Sequence, residues 1–198
     1  LGNTTITAGK PVQVGYITGG DGTLQTRFYN IIPTGLYSSE YMSPVYSDDG
    51  TAQLADLFLS NPNDFDIDIT AFDTSNSAGT TFTVTANAVV AYSDAVNAVG
   101  NYIPEGSSAR LISDSTFWGI GAYDTGTAGD WGWVLQATNY LNTEIAVPHG
   151  PGNRSQVAGL SGAGDDGSPI WVAPVEDGAL FQVDWDGDGV VDAADLNN

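Results

Sequence analysis

An all-β fold is predicted by two observations: β-branched and aromatic residues recur in short alternating runs, and clusters of turn-forming residues separate nearly all of those runs. Strands are expected at Pro11 to Ile17, Gln25 to Ile32, Leu54 to Ser60, Asp66 to Phe72, Thr80 to Ala86 and Ala88 to Tyr92. A second series is expected at Ala109 to Ile112, Phe117 to Tyr123, Trp131 to Ala137, Pro169 to Ala173 and Ala179 to Asp184. Gly19-Gly20-Asp21-Gly22, Asp48-Asp49-Gly50, Asn61-Pro62-Asn63-Asp64 and the stretch from Gly162 to Gly167 supply the turns. Only Val191 to Asn198 hints at helix.

The two series resemble each other. Ile6 to Thr18 parallels Ile112 to Asp124, with Gly15 falling on Gly121; Thr34 to Val45 parallels Thr138 to His149, matching Thr34 with Thr138, Glu40 with Glu144 and Pro44 with Pro148. Leu57 to Asp73 parallels Ile170 to Asp186. Three blocks in one order predict an internal duplication: two similar β-sandwich units of Ig-like or jelly-roll-like type, residues 1–98 and 99–198, joined near Ala98 to Glu105. A chain that duplicates a module internally fits a longer array.

A length of 198 residues suffices for a buried core without staples. There is no cysteine, one methionine and one histidine, so disulfide, redox and zinc chemistry fall away. Acids outnumber bases 24 to 4, a formal charge of -20 that repels nucleic-acid phosphates and anionic lipid headgroups. Self-repulsion on that scale is relieved by bound cations or by salt. No apolar run approaches a bilayer span. The chain opens at Leu1 without a charged leader, and is expected to be a mature product or a fragment of something larger.

The most specific pattern lies near the C-terminus. From Asp184 to Asp195, oxygen ligands fall at loop positions 1, 3, 5, 9 and 12 (Asp184, Asp186, Asp188, Asp192, Asp195), with Gly189 at position 6 and the Val190 carbonyl at position 7. A hard divalent cation needs six to eight oxygens, and five neighbouring carboxylates repel one another unless a cation sits among them. These residues are therefore expected to bind Ca2+. Loops of this all-Asp kind fill at millimolar calcium, an extracellular condition, so a secreted or cell-surface location is expected.

Several segments carry a family likeness. Leu59 to Asn63, Ser113 to Ile120, Asp130 to Leu135, His149 to Gly152, Ser168 to Pro174 and Val183 to Gly189 together resemble a repeat module of very large bacterial cell-surface proteins. Thr7 to Val12 is similar, more distantly, to an element of the β repeats of IgGFc-binding-protein type. The final loop resembles one half of a dockerin, which carries two such loops between helices. These likenesses imply extracellular architecture, adhesion or assembly, and no catalytic residues.

Other acidic groups read as ordinary structure. Asp64, Asp66 and Asp68 alternate with Phe65, Ile67 and Ile69, which gives a solvated strand face with the apolar residues inward, a second cation site being the alternative. Asp48-Asp49 and Asp165-Asp166 lie in turn sequences, with calcium as the lesser alternative, and Asp124 and Asp130 bracket a glycine-rich tip. His149 sits in a rigid Pro-Gly turn with no nucleophile motif nearby. Trp118 and Trp171 are expected in the core, Trp131 and Trp133 on one strand face, and Trp185 packed beside the calcium loop. The expected function is a secreted, calcium-binding structural or adhesive module, not an enzyme. Its expected partners are other copies or neighbouring modules of the same surface protein. The alternative is a carbohydrate-binding module whose exposed tryptophans stack on glycans.

Overall fold

The computed structural model describes residues 3–19, 26–44, 54–73, 76–96, 108–124, 131–142, 172–176, 178–182, 184 and 189–191. Within them the chain forms β1 (Val14–Gly19), β2 (Thr26–Ile31), a 3-10 turn (Thr34–Leu36), β3 (Ser38–Pro44), β4 (Leu54–Ser60), β5 (Ile67–Asp73) and β6 (Asn76–Val84). There follow β7 (Val89–Ala91), α1 (Tyr92–Val96), β8 (Ser108–Asp124), β9 (Trp131–Val134), β10 (Gln136–Ala137) and a second 3-10 turn (Thr138–Tyr140). The protein is mostly β, and every strand pairing among these residues is antiparallel.

One strand organises the rest. β8 runs for 17 residues, and its two halves belong to different sheets. The first half lies between β3 and β5, where Leu111 faces Tyr41 on one side and Ala71 on the other. The second half lies between β4 and β9, where Ile120 faces Phe58 and Val134. One sheet thus reads β10-β3-β8-β5-β6 and the other β7-β4-β8-β9. A strand that bends from one sheet into the next lets their apolar faces pack together in a sandwich-like stack. The resulting core holds Tyr41, Leu57, Leu59, Ile69, Leu111, Phe117 and Leu135, each essentially without solvent exposure.

Two clamps hold the bend. Residues 114–116 have no strand partner among the described residues, because the β3 register jumps from Ser38↔Phe117 to Glu40↔Ile112 and β4 gives way to β5 across residues 61–66. On the β3 side, the Tyr41 hydroxyl accepts from the Ser38 N–H at 2.8 Å and donates to the Phe117 carbonyl at 2.6 Å. The opposite side is held by Asn61, which is wholly buried. Its Nδ2 donates to the carbonyls of Phe65, Val84 and Thr85 at 2.8, 3.0 and 3.2 Å. Its Oδ1 accepts the N–H and the Nδ2 of Asn63 at 2.9 and 2.8 Å. Asn63 Nδ2 also donates to the Thr116 carbonyl at 2.8 Å, tying this turn to the bend itself.

Glycine is required where the two sheets close. A Cβ on Gly119 would meet Leu59 and Leu135 at 2.8 Å, and one on Gly121 would overlap the Trp133 ring. That ring cannot easily yield, since its Nε1 donates to Ser43 Oγ on β3 at 2.7 Å. Gly132 is covered in the same way by Tyr29, which seats the β1–β2 hairpin on the second sheet.

Several expectations are corrected. The expected strands 109–112 and 117–123 are one strand, because the polar Ser113 to Thr116 stretch stays extended at the bend. β3 was not expected: its polar start, Ser38-Ser39-Glu40, masks Tyr41 and Met42, both buried. The expected strand 131–137 breaks at Leu135, whose N–H bonds the Gly119 carbonyl. α1 follows β7 without a helical signal long enough to read. Phe65, expected inward, is 53% exposed, because β5 begins only at Ile67. The described residues of the expected strands 169–173 and 179–184 form no strand. Of the expected C-terminal helix only Val191 is described, and it is not helical.

Strand pairing also runs across the join expected near 98–105, since β8 pairs with β3, β4 and β5. Two local features recur at positions aligned between the halves. Thr34 and Thr138 each open a three-residue 3-10 turn closed by a 3.2 Å backbone hydrogen bond, and Gly15 and Gly121 each lie beneath an aromatic ring of the neighbouring strand.

Replacing Asn61 with Leu takes its donor from the Phe65 and Val84 carbonyls, while the Thr85 carbonyl keeps the Ala88 N–H. At roughly 1–3 kcal/mol for each buried unsatisfied group, the variant should lose about 4 kcal/mol in urea unfolding. Asn63→Ala, which spares those bonds, should lose less than half as much, and equal losses would contradict this account of the turn.

Candidate functional site

Two places merit description: the acidic C-terminal loop and a cleft behind the second sheet. In the loop, Asp184, Gly189 and Val190 are described, whereas Asp186, Asp188, Asp192 and Asp195 lie outside the described residues. The Gly189 N–H donates to Asp184 Oδ2 at 2.8 Å, so the residue at loop position 1 reaches across to position 6. Gly189 has φ +86°, in the left-handed region, and a Cβ there would meet no atom within 4 Å. The need for glycine is therefore conformational, as expected from its place at the sharp reversal of the loop. Asp184 is half-buried, and Val190 and Val191 are exposed.

Among the described residues, no three His, Asp or Glu side chains come together as a metal group. Asp66 and Asp68 are used locally: Asp66 Oδ1 accepts the Ala86 N–H at 2.8 Å and Asp68 Oδ1 accepts the Thr83 hydroxyl at 2.6 Å. With Asp64 they are exposed, while Ile67 and Ile69 face inward, which is the solvated strand face. Asp48, Asp49, Asp130, His149, Asp165, Asp166, Trp171 and Trp185 lie outside the described residues, as do the side chains of Asp124 and Trp131.

The cleft arises from the second sheet being apolar on both faces. On β4, Leu57 and Leu59 face the core and Asp56, Phe58 and Ser60 face away; on β8, Phe117 faces the core and Trp118, Ile120 and Ala122 face away. The β1–β2 hairpin stands over that outer face and encloses about 1030 Å³. Tyr16 stacks on Tyr29 with centroids 5.9 Å apart, and Tyr37 lies parallel to Trp118 at 5.7 Å. Trp118 is thus half-buried on the cleft side, not in the sandwich core, and its Nε1 is shielded from solvent with no hydrogen-bond partner among the described residues. Trp118 and, from β9, Trp133 are both partly buried against the core cluster.

The sequence carried a signal for this cleft that alternation alone misses. Phe117-Trp118-Gly119-Ile120-Gly121-Ala122-Tyr123 is a continuous apolar run, the pattern of a strand covered on both sides.

Asp56 is the titratable group of the cleft. Burial pushes its carboxyl above the ordinary carboxylate range, against the hydrogen bonds it accepts from the Ser93 hydroxyl, the Ser93 N–H and the Leu57 N–H. Neighbouring Asp94 adds a smaller upward push. Burial likewise raises the Tyr41 hydroxyl to about 12. Cation, aromatic faces and acid meet here: Arg27, Tyr16, Tyr29, Tyr37 and Asp56 all line the cleft.

No protein-family model matches the chain, and no curated protein or solved structure is significantly similar to it.

Because the folded pKa of Asp56 lies above its unfolded value, folding favours the protonated form. The stability this contributes is full below the unfolded pKa and declines as pH rises through the folded one. Asp56→Asn removes that dependence. The melting temperature of the variant should therefore gain on that of the parent as pH is raised from about 3 to about 7, and a constant difference across that range would contradict the assignment.

Proposed function

We propose that this chain is a secreted, calcium-binding structural or adhesive module of a bacterial surface protein or extracellular assembly. It works by binding and not by catalysis. The observation that carries the reading is the closure of the C-terminal loop, where the Asp184 carboxylate takes the Gly189 N–H and Gly189 holds a positive φ. That arrangement supports an inward-turned ring of oxygens from Asp184, Asp186, Asp188, the Val190 carbonyl, Asp192 and Asp195. In the proposed mechanism Ca2+ neutralises these carboxylates and fixes the direction in which the chain leaves the module. An ion at a module end stiffens the junction with its neighbour, and binding to the folded state alone stabilises it by mass action. The formal charge of -20 supports the same reading, since a cation relieves part of the self-repulsion.

The second reading, a carbohydrate-binding module, is favoured by the cleft. Aromatic pairs on both of its walls offer flat faces of the kind that stack on sugar rings, with Arg27 and Asp56 beside them for hydroxyl groups. Under this reading glycans would be partners of the module, alongside other copies of the surface protein.

Calcium should raise the melting temperature, and a chelator should reverse the shift. Asp188→Asn, which removes one of the proposed ligands, should weaken calcium binding at least tenfold in calorimetric titration. An equal melt with and without calcium would refute the first reading. For the second, a glycan array should give binding that Tyr16→Ala abolishes while the melt is unchanged; an array blank at millimolar glycan would dismiss it.

A further inference from the structure

We infer that copies of this chain join head to tail, the strand-patterned segment Ala179–Asp184 of one copy adding to the free edge of β1 in the next. The inference deepens the assembly reading above and rests on it.

The donor is a segment that has the sequence of a strand and the surroundings of none. Ala179 to Asp184 alternates in the manner of a strand, yet its described residues form no strand. Leu180 is 85% exposed and Phe181 50% exposed. Adjacent residues of an extended chain point to opposite faces, so this segment would present an apolar side chain on each side. Such a segment gains most where both a sheet edge and apolar neighbours are offered to it.

The acceptor is the hairpin. β1 and β2 form a two-stranded sheet, and among the described residues neither pairs with any other strand. Two strands alone are marginal in water. Its outward face sets Ile17 directly across from Phe28, at 64% and 57% exposure. Edge strands are ordinarily guarded by charges or proline, and Val14–Gly19 contains no Lys, Arg, Asp, Glu or Pro. An unguarded edge flanked by exposed apolar side chains is suited to accepting a strand.

Charge selects the partner. Residues 1–39 carry one acid, Asp21, against two bases, Lys10 and Arg27; residues 40–198 carry the other 23 acids against Arg110 and Arg154. From Asp165 to Asp195 there are nine acids and no base. The first 39 residues, with two bases against one acid, therefore hold the acceptor, and one of the most acidic stretches of the chain holds the donor. Opposite patches at two different places on one molecule produce a heterologous contact, which repeats and grows instead of closing into a symmetric dimer.

The test is sedimentation velocity of the full chain with calcium present, across a wide range of concentration. The mass should grow continuously with concentration, and association should weaken about tenfold from low to high salt. Ile17→Asp/Phe28→Asp blocks the acceptor and Leu180→Asp/Phe181→Asp blocks the donor; each should be monomeric alone, and an equimolar mixture should form a 1:1 dimer and nothing larger. All four residues are exposed, so the melts should match the parent; Ile17→Asp and Leu180→Asp serve singly if a double variant melts early. A parent chain monomeric at every concentration, assembly that survives either double variant, or a mixture that stays monomeric would each overturn the inference. The melt of the acceptor-blocked monomer with and without calcium judges the calcium reading separately, so the two failures are distinguishable.

Discussion

The fold turns on the bend in β8. A strand of 17 residues cannot serve two packed sheets while straight, and where it bends its backbone groups lose their ladder partners. Residues 114–116 are that place. The carbonyls of Thr116 and Phe117 are taken instead by two side chains, Asn63 and Tyr41, and Asn63 is in turn positioned by the buried amide of Asn61. Without the Tyr41 hydroxyl the bend would leave the Phe117 carbonyl short of a buried partner. With these side chains in place, β4 and β5 can run along one flank of β8 as two short strands, each belonging to a different sheet.

The bend also explains the cleft. Once the second half of β8 leaves the first sheet, its core side carries small residues at 119 and 121, over which Leu135 and Trp133 close. Its bulky residues, Trp118 and Ile120, fall on the far side, where the hairpin stands over them. Tyr29 on Gly132 anchors that hairpin, yet its strands hydrogen-bond only each other among the described residues. The molecule thus combines a well-packed sandwich-like body with a hairpin whose strands pair only with each other among the described residues. Ahead of the acidic loop, residues 178–182 are exposed and form no strand. The sandwich-like body, the hairpin and the acidic C-terminal stretch are the features on which the proposed role in assembly rests, and calcium is the ion proposed to neutralise that stretch.

Much of the all-β character was legible because it rests on local pattern. Leu54–Ser60 is a strand over its full expected length, and its inward Leu57 and Leu59 follow the period of two. The Leu59 to Asn63 segment stood out in the sequence, but a single sequence gives no sign that its first asparagine is buried and bonded to three carbonyls. That depends on where β6 and its following turn come to lie. β3 escaped for a related reason: its polar start looks like a loop, and only pairing with β8 and β10 makes it a strand. The segment 179–184 shows the opposite failure, a strand pattern whose described residues form no strand. For the acidic loop, Gly189 could be read from the spacing because a sharp reversal requires glycine, and it has a positive φ with its N–H on Asp184.

The central claim is that the loop from Asp184 to Asp195 clasps a calcium ion, and Trp185 within that loop offers the most direct probe. Terbium(III), an oxygen-seeking cation of similar size to calcium, luminesces when an adjacent indole transfers excitation to it. The account predicts sensitised terbium emission that saturates at one ion per chain, is displaced by calcium, and is lost when Trp185 is replaced by Leu. Emission that is absent, or that calcium does not displace, would contradict it.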